Sequence, residues 1–171
     1  MSNSRSSRIS LIGMPGSGKS TVGVLLAKRI GLAFVDTDIL IQEQEQATLA
    51  EIIARSSAFV LREIEEQVLL DMPITDSVIS TGGSVVYSPA IMARLSAASA
   101  VVYLRAQLET VDYRISLAPD RGIASPGNHT LEDVYNERAP RYEQYSDIVV
   151  DVDHDTPEAI TGQIIAQLDT L

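Results

Sequence analysis

Apolar residues along this chain follow two alternating rhythms. Short runs at 9–12, 32–35, 78–80, 100–104 and 148–150 are apolar almost throughout, as strands covered on both faces are. Between them lie longer stretches in which apolar positions recur every three or four residues, the period of a helix with one buried face. These helical stretches cover 21–30, 39–46, 48–55, 58–71, about 89–97 and 107–117. A further helix opens at Thr130, interrupted near Pro140. Over 58–71 the buried stripe is Leu61, Ile64, Val68 and Leu69, leaving Arg62, Glu63, Glu65 and Glu66 toward water or a cleft.

Boundary residues support the same division. Gly31 stops the first helix. Ser88 ahead of Pro89 has the form of an N-cap followed by proline at the first helical position, and Thr156, Pro157 and Glu158 open a closing helix. No internal repeat, low-complexity segment or interdomain linker interrupts the alternation. The expected fold is α/β, a doubly wound five-stranded parallel sheet in one domain over 1–171, with a loose tail at 1–7. Residues 118–130 hold two prolines, two glycines, an asparagine and an arginine with almost nothing to bury, so they are read as a mobile lid.

Between the first strand and the first helix stands Gly13-Met14-Pro15-Gly16-Ser17-Gly18-Lys19-Ser20. It satisfies G-x-x-x-x-G-K-[ST] in full, in the strand–turn–helix setting that makes the motif credible. Gly13, Gly16 and Gly18 can curl backbone N–H groups around an anion, and the following helix adds its positive end. Lys19 can reach the β- and γ-phosphates, and the Ser20 hydroxyl can ligate Mg²⁺. The competing reading is a glycine-rich turn that binds nothing, but all four fixed positions and both flanks are present. A nucleoside triphosphate is the expected ligand, with Ser17 and Thr21 as part of its cradle.

Composition narrows the partners. The 171 residues are 45% apolar with no tryptophan, and the formal net charge is −10. That charge repels phosphate backbones, which argues against nucleic acid. With no cysteine, disulfides and thiolate metal sites are excluded. No apolar run approaches membrane-spanning length and the opening residues have no signal-peptide core, so a cytoplasmic protein is expected.

Three polar groups fall at strand ends, where ligands collect in open α/β sheets: the glycine loop, Asp36-Thr37-Asp38, and Thr81-Gly82-Gly83. A phosphoryl-transfer enzyme needs a metal anchor, a group that orients the acceptor hydroxyl, and cations for the migrating charge. Asp36 and Asp38 can supply the first two. Aspartate is also a favoured capping residue, so a helix cap ahead of Ile39 remains the alternative. Gly82 and Gly83 let a ligand lie against backbone, or make an ordinary turn. Arg62 and Arg138 sit on acidic helices, where taken alone they read as surface ion-pair partners. Arg121, in the lid, has the placement of an arginine that closes over phosphates. His129 and His154 lack metal-ligand spacing and are read as surface residues.

Over nearly its whole length the chain resembles the shikimate kinase family. Asp36 and Asp38 match the family's aspartate pair after strand two, and Arg62 and Glu65 its helical Phe-Arg-x-x-Glu. Ser80, Thr81, Gly82 and Gly83 match the strand-three Ser-Thr-Gly-Gly-Gly. Arg114 and Arg121 are similar to the adenine-side and lid arginines. Glu137-Arg138-Ala139-Pro140-Arg141-Tyr142 matches Glu-Arg-x-Pro-x-Tyr. The resemblance implies ATP- and Mg²⁺-dependent phosphorylation of the 3-hydroxyl of shikimate, by a monomer with a nucleoside-monophosphate-kinase-like P-loop fold. It implies that Arg62, Arg138, Asp38, Gly82 and Gly83 hold the acid, and that Lys19, Asp38 and Arg121 serve catalysis. By the same resemblance Arg114 belongs to the nucleotide, and Ser20 with Asp36 to the metal. The chain departs from the family pattern at Ser84 (third glycine), Leu61 (phenylalanine), Ser57-Ala58 (Gly-Glu) and Gly122-Ile123 (Pro-Leu). Two rivals stand beside this reading: a kinase for another small acceptor such as gluconate or a nucleoside monophosphate, and a nucleotide-binding module without turnover.

Overall fold

The computed structural model describes residues 7–118 and 128–171. In chain order they form β1 (Arg8–Ile12), α1 (Lys19–Ile30), β2 (Ala33–Asp36), α2 (Thr37–Glu45), α3 (Leu49–Arg55), α4 (Ala58–Asp71) and β3 (Ser77–Ser80). A 3-10 turn (Val85–Tyr87) precedes α5 (Pro89–Ala98), β4 (Ala100–Arg105), α6 (Leu108–Ser116), α7 (Leu131–Tyr145), β5 (Ile148–Asp151) and α8 (Pro157–Leu168).

The strands make one sheet in the order β2-β3-β1-β4-β5, with every neighbouring pair parallel. Successive side chains on a strand point to opposite faces, yet all four residues of β3 and the first five of β4 are buried. Both sheet faces are therefore covered, as the unbroken apolar runs require. The glycine loop leaves the central strand β1, beside the point where the chain changes side, so it faces the crevice at the carboxyl ends of β1, β2 and β3. Beside the main core, Ile41, Ile52, Leu61 and Val68 form a smaller one that joins α2, α3 and α4.

Capping explains several boundaries. Ser88 accepts from the Ile91 amide with Pro89 at the first helical position, and Thr156 accepts from the Ala159 amide ahead of Pro157. Thr130 forms a capping box with Asp133, as its place at the head of a helix suggested.

The structure corrects the sequence reading in three places. The second strand begins one residue later than expected, because the Leu32 amide donates to the Ala27 carbonyl in the terminal turn of α1. Helix α2 begins at Thr37, and its capping residue is Asp36 rather than Asp38, with the Asp36 carboxylate accepting from the Asp38 amide at 3.0 Å. Helix α7 is not interrupted at Pro140 but runs through it. Buried Val134, Arg138 and Tyr142 recur every four residues along α7, and anchoring on both sides of the proline offsets the backbone bond it removes. Of the expected lid, residues 119–127 lie outside the described residues.

Candidate active site

One wall of the site is built by the glycine loop. Gly16 and Gly18 adopt φ of 82° and 95°, the left-handed region that costs other residues strain. The Lys19 side chain is nearly buried, and its ammonium donates to the carbonyls of Gly13 (2.8 Å) and Met14 (2.9 Å). The Ser17 hydroxyl is buried inside the loop without a hydrogen-bond partner, an orphaned polar atom of the kind a phosphate oxygen would satisfy. Arg114, from α6, donates to the carbonyls of Gly16 (3.2 Å), Ser17 (3.4 Å) and Val152 (3.0 Å). It thereby straps the loop to the end of β5. Thr21 is exposed at the mouth.

Sheet register brings the second strand end to this loop. Asp36 pairs with Ser80 across β2 and β3, and Leu11 pairs with Ser80 across β1 and β3. The Ser20 hydroxyl donates to Asp36 at 2.6 Å. A hydroxyl and a carboxylate in contact form a hard oxygen donor set that fits Mg²⁺. Asp36 is thus both the cap of α2 and the candidate metal anchor, so the two sequence readings of this residue are compatible.

A cleft of about 510 Å³ takes in the loop and continues beyond it, within the ordinary size of a small-molecule site. Its lining brings Pro15, Lys19 and Ser20 of the loop together with Asp38, Glu65, Gly82, Gly83, Ser84 and Arg138. No aromatic ring lines it among the described residues. The Gly82 amide donates to the Thr37 hydroxyl at 3.2 Å, and the Tyr142 hydroxyl donates to the Gly83 carbonyl at 2.5 Å. A Cβ at Gly82 would stand 2.0 Å from Glu65 Oε1, so only glycine lets this carboxylate lie against the backbone.

Glu65 is the main feature the sequence reading left without a role. Its burial is visible only in the fold: 4% of its surface is exposed, and Oε1 has no hydrogen-bond partner. Oε2 accepts from the Ser84 hydroxyl. Burial pushes its carboxyl up to about 7 from the ordinary 4.5, and Asp38 pushes the same way. The Ser84 hydrogen bond, Arg138 and Lys19 oppose that rise.

The two helical arginines have separate placements. Arg138 is 1% exposed and lines the cleft, which overturns the surface ion-pair alternative for it. Arg62 is half-buried and does not line the cleft; its guanidinium lies over the Tyr87 ring at 4.2 Å from the centroid. Tyr87 itself carries no motif, and nothing in the sequence pattern marks it. Arg121 lies outside the described residues. His129 and His154 are exposed, and no group of three or more His, Cys, Asp or Glu side chains among the described residues is arranged to hold a metal. No helix among the described residues is long and apolar enough to cross a membrane.

Comparison with known proteins agrees with this fold. Residues 15–169 match the family model for shikimate kinase. A shikimate kinase of Paracidovorax citrulli is 34% identical over 163 residues, spanning 92% of this chain and 89% of its own. One from Mycobacterium ulcerans is 35% identical over 162 residues, spanning 93% and 88%. Among solved structures, shikimate kinase from Acinetobacter baumannii in complex with shikimate superposes with a TM-score of 0.87 at 25% identity, covering 95% of this chain and 92% of that one. With its strand order and glycine loop in place, this chain belongs to the shikimate kinase family.

Proposed function

We propose that this chain transfers the γ-phosphoryl group of ATP to the 3-hydroxyl of shikimate. The observation that carries the reading is a single cleft that joins Lys19 and Ser20 to Asp38, Glu65 and buried Arg138. An acidic polyol suits the part of the cleft beyond the loop. Its carboxylate matches a guanidinium fork, and its hydroxyls match Asp38 and the unpartnered oxygen of Glu65. A nucleoside monophosphate suits it less, since no ring among the described lining residues can stack on a base.

In this reading the loop around Gly13, Gly16 and Gly18 cradles the phosphates, and Lys19 supports the charge on the migrating group. Ser20 and Asp36 hold Mg²⁺, which when bound neutralises charge on the phosphate oxygens. Asp38 orients the acceptor hydroxyl and takes its proton as the new O–P bond forms and ADP departs. Because the transition state is loose, most of the effect of Asp38 comes from alignment. Arg138 holds the acid group against Gly82 and Gly83, and Arg62 reaches it from the rim beside Tyr87. Arg114 and Arg121 serve the nucleotide.

A coupled ADP-release assay with shikimate, gluconate, AMP and no acceptor tests the proposal. Turnover on shikimate well above the other three is expected. Turnover confined to gluconate or AMP, or equal in all four, overturns it.

A further inference from the structure

Three guanidinium groups gather around one aromatic ring at the edge of the acceptor site. The Tyr87 ring centroid lies 4.2 Å from Cζ of Arg62, 5.2 Å from that of Arg138 and 5.1 Å from that of Arg141. Arg62 belongs to α4, whereas Arg138 and Arg141 belong to α7. The Arg138 Nε also donates to the Tyr87 hydroxyl at 3.4 Å. Three cations this close repel one another, and the negative face of the ring offsets part of that cost.

Tyr87 is held firmly enough to serve as a reference point. It ends the 3-10 turn directly after Gly82, Gly83 and Ser84, with its amide bonded to the Ser84 carbonyl at 3.0 Å. Val85 and Val86 in that turn are buried. On the other side, Ser88 caps α5 and donates to Glu66 of α4 at 2.6 Å. The ring therefore stands on the same backbone segment that shapes the floor of the cleft.

We propose that Tyr87 is a positioning residue that sets the angle at which Arg62 and Arg138 meet the acid group of the acceptor, with Arg141 as a third cation that strengthens the field at the rim. The choice of an aromatic ring has a chemical reason. The π face itself takes no N–H donor and the ring hydroxyl takes only the long bond from Arg138 Nε, whereas a carboxylate in the same place would claim two donors and compete with the acceptor. The inference rests on the reading that these arginines hold an acceptor carboxylate.

Steady-state kinetics of the full chain with Mg-ATP and shikimate test it through Tyr87→Phe, Tyr87→Leu and Tyr87→Gln. The phenylalanine variant keeps the π face and should hold its KM for shikimate within about threefold of wild type. The leucine and glutamine variants remove the face, and each should raise that KM about tenfold. Their kcat and KM for ATP should stay within about twofold, a split that general loosening of the fold would not produce. Two non-aromatic variants of different polarity are included so that misfolding of one leaves the other to decide. If either folded non-aromatic variant matches the phenylalanine variant in KM for shikimate, or if the KM for ATP rises equally, Tyr87 has no such role. A wild-type chain without turnover on shikimate would instead overturn the functional reading, and the inference with it.

Discussion

Glu65 makes the pH dependence of stability a direct test of the site. Its carboxyl is raised to about 7, chiefly by burial. In the unfolded chain the same group returns to about 4.5, so between those two values the folded state binds the proton more tightly. By linkage, its contribution to stability is fully present below about pH 4.5 and is lost as pH rises through about 7. A rise from 4.5 to about 7 at roughly 1.36 kcal/mol per pH unit corresponds to about 3 kcal/mol over the whole window. Between pH 5 and pH 8 roughly 2–3 kcal/mol of that is sampled. Glu65→Gln keeps the shape of the side chain and removes the titration. Urea unfolding of both proteins at matched ionic strength, at pH 5 and pH 8, isolates the term as a difference of differences. Relative to the variant, wild type should lose about 2–3 kcal/mol on going to pH 8, or roughly 4–12 °C in Tm for a chain of this size. Ser84→Ala removes the hydrogen bond that opposes the rise, so in that variant the loss should begin at the same pH but continue to a higher one. Parallel pH curves for wild type and Glu65→Gln would refute the account of a buried, proton-retaining carboxylate.

Three further outcomes concern the chemistry. Lys19→Ala should lower kcat on the order of 100-fold or more at saturating Mg-ATP with the unfolding midpoint little changed, and near-normal turnover would remove Lys19 from the reaction. Asp36→Asn keeps a good helix cap, so its folding should be close to wild type while its lost turnover is partly restored by raised Mg²⁺ in the kinetic assay. Asp38→Asn should lose turnover at unchanged ATP affinity and resist that rescue, and the opposite pattern would exchange the two roles.

The sequence reached far where a local rule governs the outcome. Strand runs, helix periods, the caps at Ser88, Thr130 and Thr156, and the glycine loop depend on residues close in the chain, so they could be read from spacing. It fell short where neighbours remote in sequence compete. Leu32 has the character of a strand residue but is taken by the last turn of α1. Pro140 carries a helix-breaking signal that the buried residues on either side of it outweigh.

The site divides in the same way. Motif and resemblance singled out the candidates for the chemistry: Lys19, Ser20, Asp36, Asp38, Arg62, Gly82, Gly83, Arg114 and Arg138. What each one meets was not legible there. Parallel register sets Asp36 beside Ser20, sixteen residues away along the chain. Packing of α4 against the di-glycine turn buries Glu65 and gives it Ser84 as a partner. Helices α4 and α7 bring three arginines to Tyr87, a residue with no sequence signal of its own. Periodicity and motif report short-range preferences of the chain. Burial, proton affinity and the gathering of like charges depend on the low-dielectric surroundings that distant segments create, and these exist only once the chain has folded.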